Sequence, residues 1–220
     1  IQSVEPEGAG LTLWTPIVGL GVTQMIGYGT LLYSHTVTLP LIAKDLGWSA
    51  SYSFGIFSVA LLLAAIAAPV AGRLIDRCGG RTARAVGSVL AAIALLYLSA
   101  AQGFWSFATG LVAVEMAAVF VLYEAAFASL TQIRRRGGAR RAITQLTLLG
   151  GFASTIFWPL THYLSESYGW REALICFAAL HIAICLPLHR LCLKAAKPLD
   201  LMTAGPRHAD EYEQLAGKRR

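Results

Sequence analysis

The sequence predicts an all-α integral membrane protein with six transmembrane helices. Three observations carry that expectation. The 220-residue chain is 56% hydrophobic and only 14% charged, where a soluble domain averages about 25% charged. Apolar runs of membrane-spanning length recur along it. The basic residues gather in alternate connections between those runs. A soluble globule of this length needs a polar surface that so few charges do not supply.

The apolar segments cover about 12–36, 51–72, 84–101, 104–131, 142–164 and 170–190. Each is near the ~20 residues that cross a ~30 Å hydrocarbon core. A spanning helix satisfies its own backbone N–H and C=O groups, and none of the runs alternates as a membrane barrel strand does. The opening IQSVEPEGAG has two acids, no base and no cleavage-site pattern, so it does not read as a signal peptide. A chain that starts on Ile1 reads as a fragment or a trimmed product.

Segment one places Gln24, Tyr28 and His35 at i, i+4 and i+11, which share a helix face. Before segment two, LGWSAS offers Ser49 as a helix cap and Trp48 as an interfacial anchor. Trp105 and Trp170, at the starts of segments four and six, are expected in the same layer. RLIDRCGGRTAR joins segments two and three, RRRGGARR joins four and five, and HRLCLKAAKP follows six. Together with the tail these stretches hold all but Lys44 and Arg171 of the 18 basic residues. The positive-inside rule then predicts both termini in the cytoplasm. The net charge of +6 is accordingly topological, with no nucleic-acid partner expected. RRRGGARR would attract anionic lipid head groups as a by-product.

Segment four carries two acids, Glu115 and Glu124. Nine residues separate them, about 180° around a helix, so they are not a catalytic carboxylate pair. A charge at the bilayer centre costs roughly 2.5–3.5 kcal/mol on insertion scales. Two explanations stay open for each acid. One is packing, with the acid protonated or held by a polar neighbour. The other is proton coupling or substrate contact.

In segment five Thr144, Thr147, Gly151, Ser154, Trp158 and His162 form one helical stripe. Close helix packing through small residues accounts for Gly150 and Gly151, but Trp158 and His162 are too large for such a seam. Cavity lining is the favoured explanation. The cysteines Cys78, Cys176, Cys185 and Cys192 lack CxxC spacing and read as soft packing residues. No metal, cofactor or catalytic group is expected. Residues 1–192 form the predicted bundle, and the polar residues 193–220 a cytoplasmic linker or tail.

Glycines and arginines in GRLIDRCGGR, Gly72–Arg81, suit a tight cytoplasmic turn, but Asp76 contributes little to topology and needs a partner. Here the chain resembles the major facilitator superfamily, whose signature between helices two and three is roughly G-x-L-x-D-R-x-G-R-[KR]. Gly72, Leu74, Asp76, Arg77, Gly79 and Arg81 match in register, while Gly80 stands where a base is usual. The resemblance implies the N-terminal six-helix half of a twelve-helix secondary transporter, built as two three-helix inverted repeats. It also implies a conformational gate at Gly72, Asp76, Arg77, Gly79 and Arg81, docking on the other half. Helices one, four and five would line a solute cavity, which brings in Gln24, Tyr28, His35, Glu115, Glu124, Thr147, Ser154, Trp158 and His162.

Two family features are missing. Segment four has no arginine, and segment five is glycine-rich with its proline late, at Pro159. The stretch GYGTLLYSHTVTLPLIAKDLGWS is similar to a bacterial branch that handles small carboxylates or exports mixed solutes, which implies a bacterial inner membrane. The implied partners are a small solute, protons, the bilayer, and the missing half or a second copy. Two alternatives remain: a stand-alone six-helix protein that dimerises or regulates, and a membrane enzyme, although HExxH and GxSxG are both missing.

Overall fold

Helices make up every regular element of the computed structural model, which describes residues 8–122, 144, 147, 148 and 150–192. Helix α1 (Gly8–Tyr28) runs through a π-helical turn (Gly29–Tyr33) into α2 (His35–Asp45). Helices α3 (Ala50–Cys78), α4 (Gly80–Ser99) and α5 (Phe104–Val121) follow. After the connection come α6 (Ala153–Ser167) and α7 (Trp170–Leu180). A second π turn (His181–Cys185) leads from α7 into α8 (Leu186–Cys192).

Among the described residues, four helical stretches are long and apolar enough to cross a membrane: Ala50–Cys78, Gly80–Ser99, Phe104–Val121 and Trp170–Leu191. These correspond to predicted segments two, three, four and six. Segment one is helical to Asp45, beyond its predicted end, and is divided at Tyr28 by the π turn. Segment five is described only in part. The RRRGGARR connection and residues 193–220 lie outside the described residues, as do Glu124 and the predicted tail boundary.

The helix starts follow local chemistry. Ser49 caps α3, its Oγ accepting the Tyr52 amide at 3.2 Å, as the sequence predicts. Ser106 accepts the amides of Gln102 and Gly103 at the head of α5, each at 3.2 Å. One residue, Gly79, separates α3 from α4. Its φ of +80° lies in the left-handed region that a side chain disfavours.

Helix α4 sits at the centre. Small residues let it approach α5: a Cβ on Gly87 would lie 2.7 Å from that of Phe120, and one on Gly110 would lie 3.0 Å from Leu98. Leu95, Leu98, Phe107, Leu111 and Val114 close the core between them. Gly29 fits against Phe157 so closely that a Cβ there would enter the ring.

Arg171 ties the loops at one end. Its guanidinium donates to Asp45 at 2.6 Å and to the Ala101 carbonyl at 3.0 Å, and lies 4.1 Å from the Trp170 ring centre. The Arg171 hydrogen bond holds the Asp45 carboxyl below the usual carboxylate range. These loops are the ones predicted to share a side. Trp105 is 77% exposed. Trp170 is a correction: at 6% exposed it packs into the core, because Arg171 covers its face.

Candidate functional site

Among the described residues, three groups of buried polar side chains join elements distant in sequence. The first joins α1, α2 and α5. Gln24 Nε2 donates to the Val121 carbonyl at 2.7 Å. Further along the same face, His35 Nε2 stands 4.0 Å from Glu115 Oε1, with the His35 ring also against Phe57 at 4.9 Å. Both members are nearly inaccessible. Thus Gln24 and His35 share a face as predicted, and that face meets α5. Tyr28, between them, is half-buried beside Tyr33.

Proton placement around His35 follows from its neighbours. Ser34 Oγ spends its hydrogen on the Thr30 carbonyl at 2.6 Å. It can therefore only accept at the 3.2 Å contact with His35 Nδ1, which makes Nδ1 the protonated nitrogen. Nε2 then turns a lone pair toward Glu115 Oε1, and neither atom has a hydrogen-bond partner among the described residues. A neutral imidazole facing a carboxyl group is an arrangement that holds one proton between two sites.

The second group lies at the opposite end of α4 from Arg171. Arg84 counts with the loop arginines in the predicted charge asymmetry, and its side chain is completely buried. Its Nη2 donates to Thr23 Oγ1 at 3.1 Å and to His189 Nε2 at 3.0 Å. Ser88 gives its hydrogen to the Arg84 carbonyl at 3.1 Å and accepts from His189 Nδ1 at 2.8 Å. These four contacts are mutually consistent when His189 is neutral, while Arg84 Nε and Nη1 have no hydrogen-bond partner among the described residues. The chain of donors pins α1, α4 and α8 together.

The third group joins the two π turns. Thr30 donates to the Ile26 carbonyl at 2.7 Å, so at 2.8 Å it accepts from His181 Nε2. Each π turn thus supplies one partner of a buried hydrogen bond, and such turns are frequent at functional sites. Arg84, His181 and His189 were missed by sequence reasoning. Arg84 looks like any loop arginine, and the two histidines, at i and i+8, carry a faint one-face signal only.

The other predicted site residues are not brought into these groups. Gly72 is half-buried, and Asp76, Arg77 and Arg81 are exposed at the α3–α4 junction. Asp76 makes no ion pair among the described residues. Thr147, Trp158 and His162 are exposed and Ser154 is half-buried. His162 pairs with Glu166 one turn on, at 3.2 Å. The inward face of α6 is instead Ala153, Phe157, Thr161 and Ser165. No group of three or more metal-ligating side chains occurs among the described residues.

Long apolar helices with buried ionisable side chains between them describe a multi-pass membrane protein. The comparison with known proteins agrees: the sequence profile of the Major Facilitator Superfamily matches residues 20–209, and the chain belongs to that family. It is 28% identical over 190 residues to monocarboxylate transporter 11 of Mus musculus, covering 84% of this chain and 42% of the relative. It is 29% identical over 176 residues to monocarboxylate transporter 11 of Homo sapiens, covering 78% of this chain and 36% of the relative. The chain therefore spans less than half the length of these curated relatives. It is a transporter-family chain and not an enzyme. Both relatives are mammalian, so they lend nothing to a bacterial inner-membrane assignment.

Proposed function

We propose that this chain forms the N-terminal half of a proton-coupled secondary transporter for a small monocarboxylate, working by alternating access. The observation that carries the proposal is the buried His35–Glu115 pair, with its N···O distance of 4.0 Å. Buried ionisable residues inside a membrane bundle are costly, and they mark ion and substrate pathways. A proton that neutralises Glu115 removes the penalty of its charge, so the pair's protonation and the conformation around it are coupled. The relatives' names supply the substrate class.

In this proposal six helices form two inverted three-helix repeats, with both termini cytoplasmic. The stripe of Thr147, Ser154, Trp158 and His162 lines the solute cavity, together with Tyr28. Glu124 is a further candidate for the proton or solute pathway. Exposed Asp76 and its arginines meet a helix of the second half, and Gly72 and Gly79 allow that approach. The positive φ of Gly79 supports the tight turn this reading needs.

The test is uptake of a labelled small monocarboxylate into proteoliposomes by the twelve-helix parent, with and without a proton gradient. Glu115→Gln should abolish gradient stimulation while leaving exchange of solute at zero gradient. Asp76→Asn should slow both modes without lowering expression. Gradient stimulation that survives Glu115→Gln removes the coupling role; unchanged kinetics in Asp76→Asn remove the gate. A stable symmetric dimer of this chain on crosslinking in bilayers would instead favour a second copy over a missing half.

A further inference from the structure

Beyond solute transport, a groove on the outside of the bundle has the polarity of a phospholipid. It lies between α4 and α8 and has a volume of about 370 Å³. Arg81 and Thr82, in the first turn of α4, form its mouth with Arg190 of α8. Ala85, Val86, Val89 and Leu90 line the rest. The α4 positions repeat at i, i+4 and i+8, so they are one face descending from the helix start. From Arg81 to Leu90 the descent is about 13 Å at 1.5 Å per residue.

The mouth is strongly positive. Both arginine side chains are exposed, no lining residue is acidic, and the first turn of α4 contains no acid. The α4 cap residue is Gly79, which offers no side-chain acceptor to the free amides there. Below this mouth the lining is wholly apolar. Both charges sit at one end of a membrane span and the aliphatic residues run toward its middle. A soluble anion would satisfy the mouth and leave the floor unused. A phosphodiester head with acyl chains below it satisfies both.

We propose that this groove binds an anionic phospholipid of the leaflet facing the α3–α4 junction. Its phosphate sits between Arg81 and Arg190, and one acyl chain lies along Val86, Val89 and Leu90. Basic pockets between transmembrane helices are suited to anionic head groups on charge alone. This inference requires the membrane placement of the chain and is independent of its solute or coupling ion. A lipid held there would brace α8 against α4 on the side away from His189.

The test is native mass spectrometry of the 220-residue chain, released from neutral detergent with added phosphatidylglycerol or phosphatidylcholine. Phosphatidylglycerol adducts should outlast phosphatidylcholine adducts. Arg81→Gln and Arg190→Gln should each cut that preference about fivefold, the worth of one basic side chain near a lipid surface. Val89→Trp, which fills the apolar floor, should lower retention of both lipids. Arg73→Gln, an exposed arginine at the same end but outside the groove, should leave the preference intact. Equal retention of the two lipids overturns the proposal, as does an equal loss in Arg73→Gln. Displacement of the adducts by inorganic phosphate alone, or full retention in Val89→Trp, would reduce the site to a plain anion site and overturn the lipid assignment. All variants alter exposed or half-buried positions, and their elution volumes monitor folding.

Discussion

Helices α3 and α4 are joined by a single glycine, yet they meet opposite surroundings. The more apolar is the less buried: mean hydropathy in the richest stretch is 2.4 for α3 and 1.6 for α4, while 17% and 61% of those stretches are buried. In water the order would be reversed, since burial there follows hydropathy. In a bilayer, lipid chains are as apolar as leucine, and helices associate through small residues and polar contacts instead. Accordingly α3 displays Leu62, Ile66 and Val70 outward, while α4 buries Gly87, Ala91, Ser88 and Arg84.

The comparison breaks most sharply at arginine. Arg84→Ala on α4 removes the donor from Thr23 and His189 and leaves a hole, a loss on the order of 3–5 kcal/mol. The expected result is little folded protein on size exclusion in mild detergent. Arg73→Ala on α3 should elute and melt as the parent does. Comparable loss in both would mean that Arg84 acts only through net charge.

Glycine gives the next largest contrast. Gly87→Val meets Phe120, backbone included, and should cost about 1–3 kcal/mol by overpacking. Gly72→Val on α3 meets nothing within 4 Å and should change thermal stability by less than about 0.5 kcal/mol. If it nevertheless slows uptake by the proposed twelve-helix transporter, the open face of α3 is where the proposed second half docks.

The smallest expected effect is at the far end of α4, where Arg171 holds both Asp45 and the Ala101 carbonyl. The Asp45 pKa is depressed in the folded state. Its contribution is therefore complete above the ordinary aspartate pKa of about 3.9 and is lost as pH falls through the lower folded value. Melting temperatures of the parent and of Asp45→Asn should differ by the same small amount at pH 7 and pH 5, and converge only in stronger acid. A difference that already vanishes by pH 5 would mean that Arg171 does not lower the Asp45 pKa.

Much of the fold was legible. Segment lengths located the four spans seen among the described residues, since hydropathy is a sum over neighbours in sequence. Ser49 was legible as a cap because its partner, Tyr52, is three residues away. The charge pattern anticipated that Lys44 and Arg171 share one end, where Arg171 is seen tying Asp45 to Ala101. The candidate site was legible as a set of residue types and not as pairs. Both His35 and Glu115 stood out as polar residues in apolar runs, but nothing local joins them. The inward turn of Arg84 was not legible, because a positive charge beside a loop arginine cluster carries the same local signal whether it faces water or a buried histidine.

What the sequence by itself determined is the class of protein: apolar length, charge asymmetry and the Gly72–Arg81 motif each depend on residues close together in the chain. Tertiary structure alone decided that His35 faces Glu115, that Arg84 turns inward to His189, and that α4 rather than α3 occupies the centre. These outcomes depend on how each helix is rotated about its axis. In lipid that rotation is set by where small and polar surfaces of distant segments fit one another, a property no single segment contains.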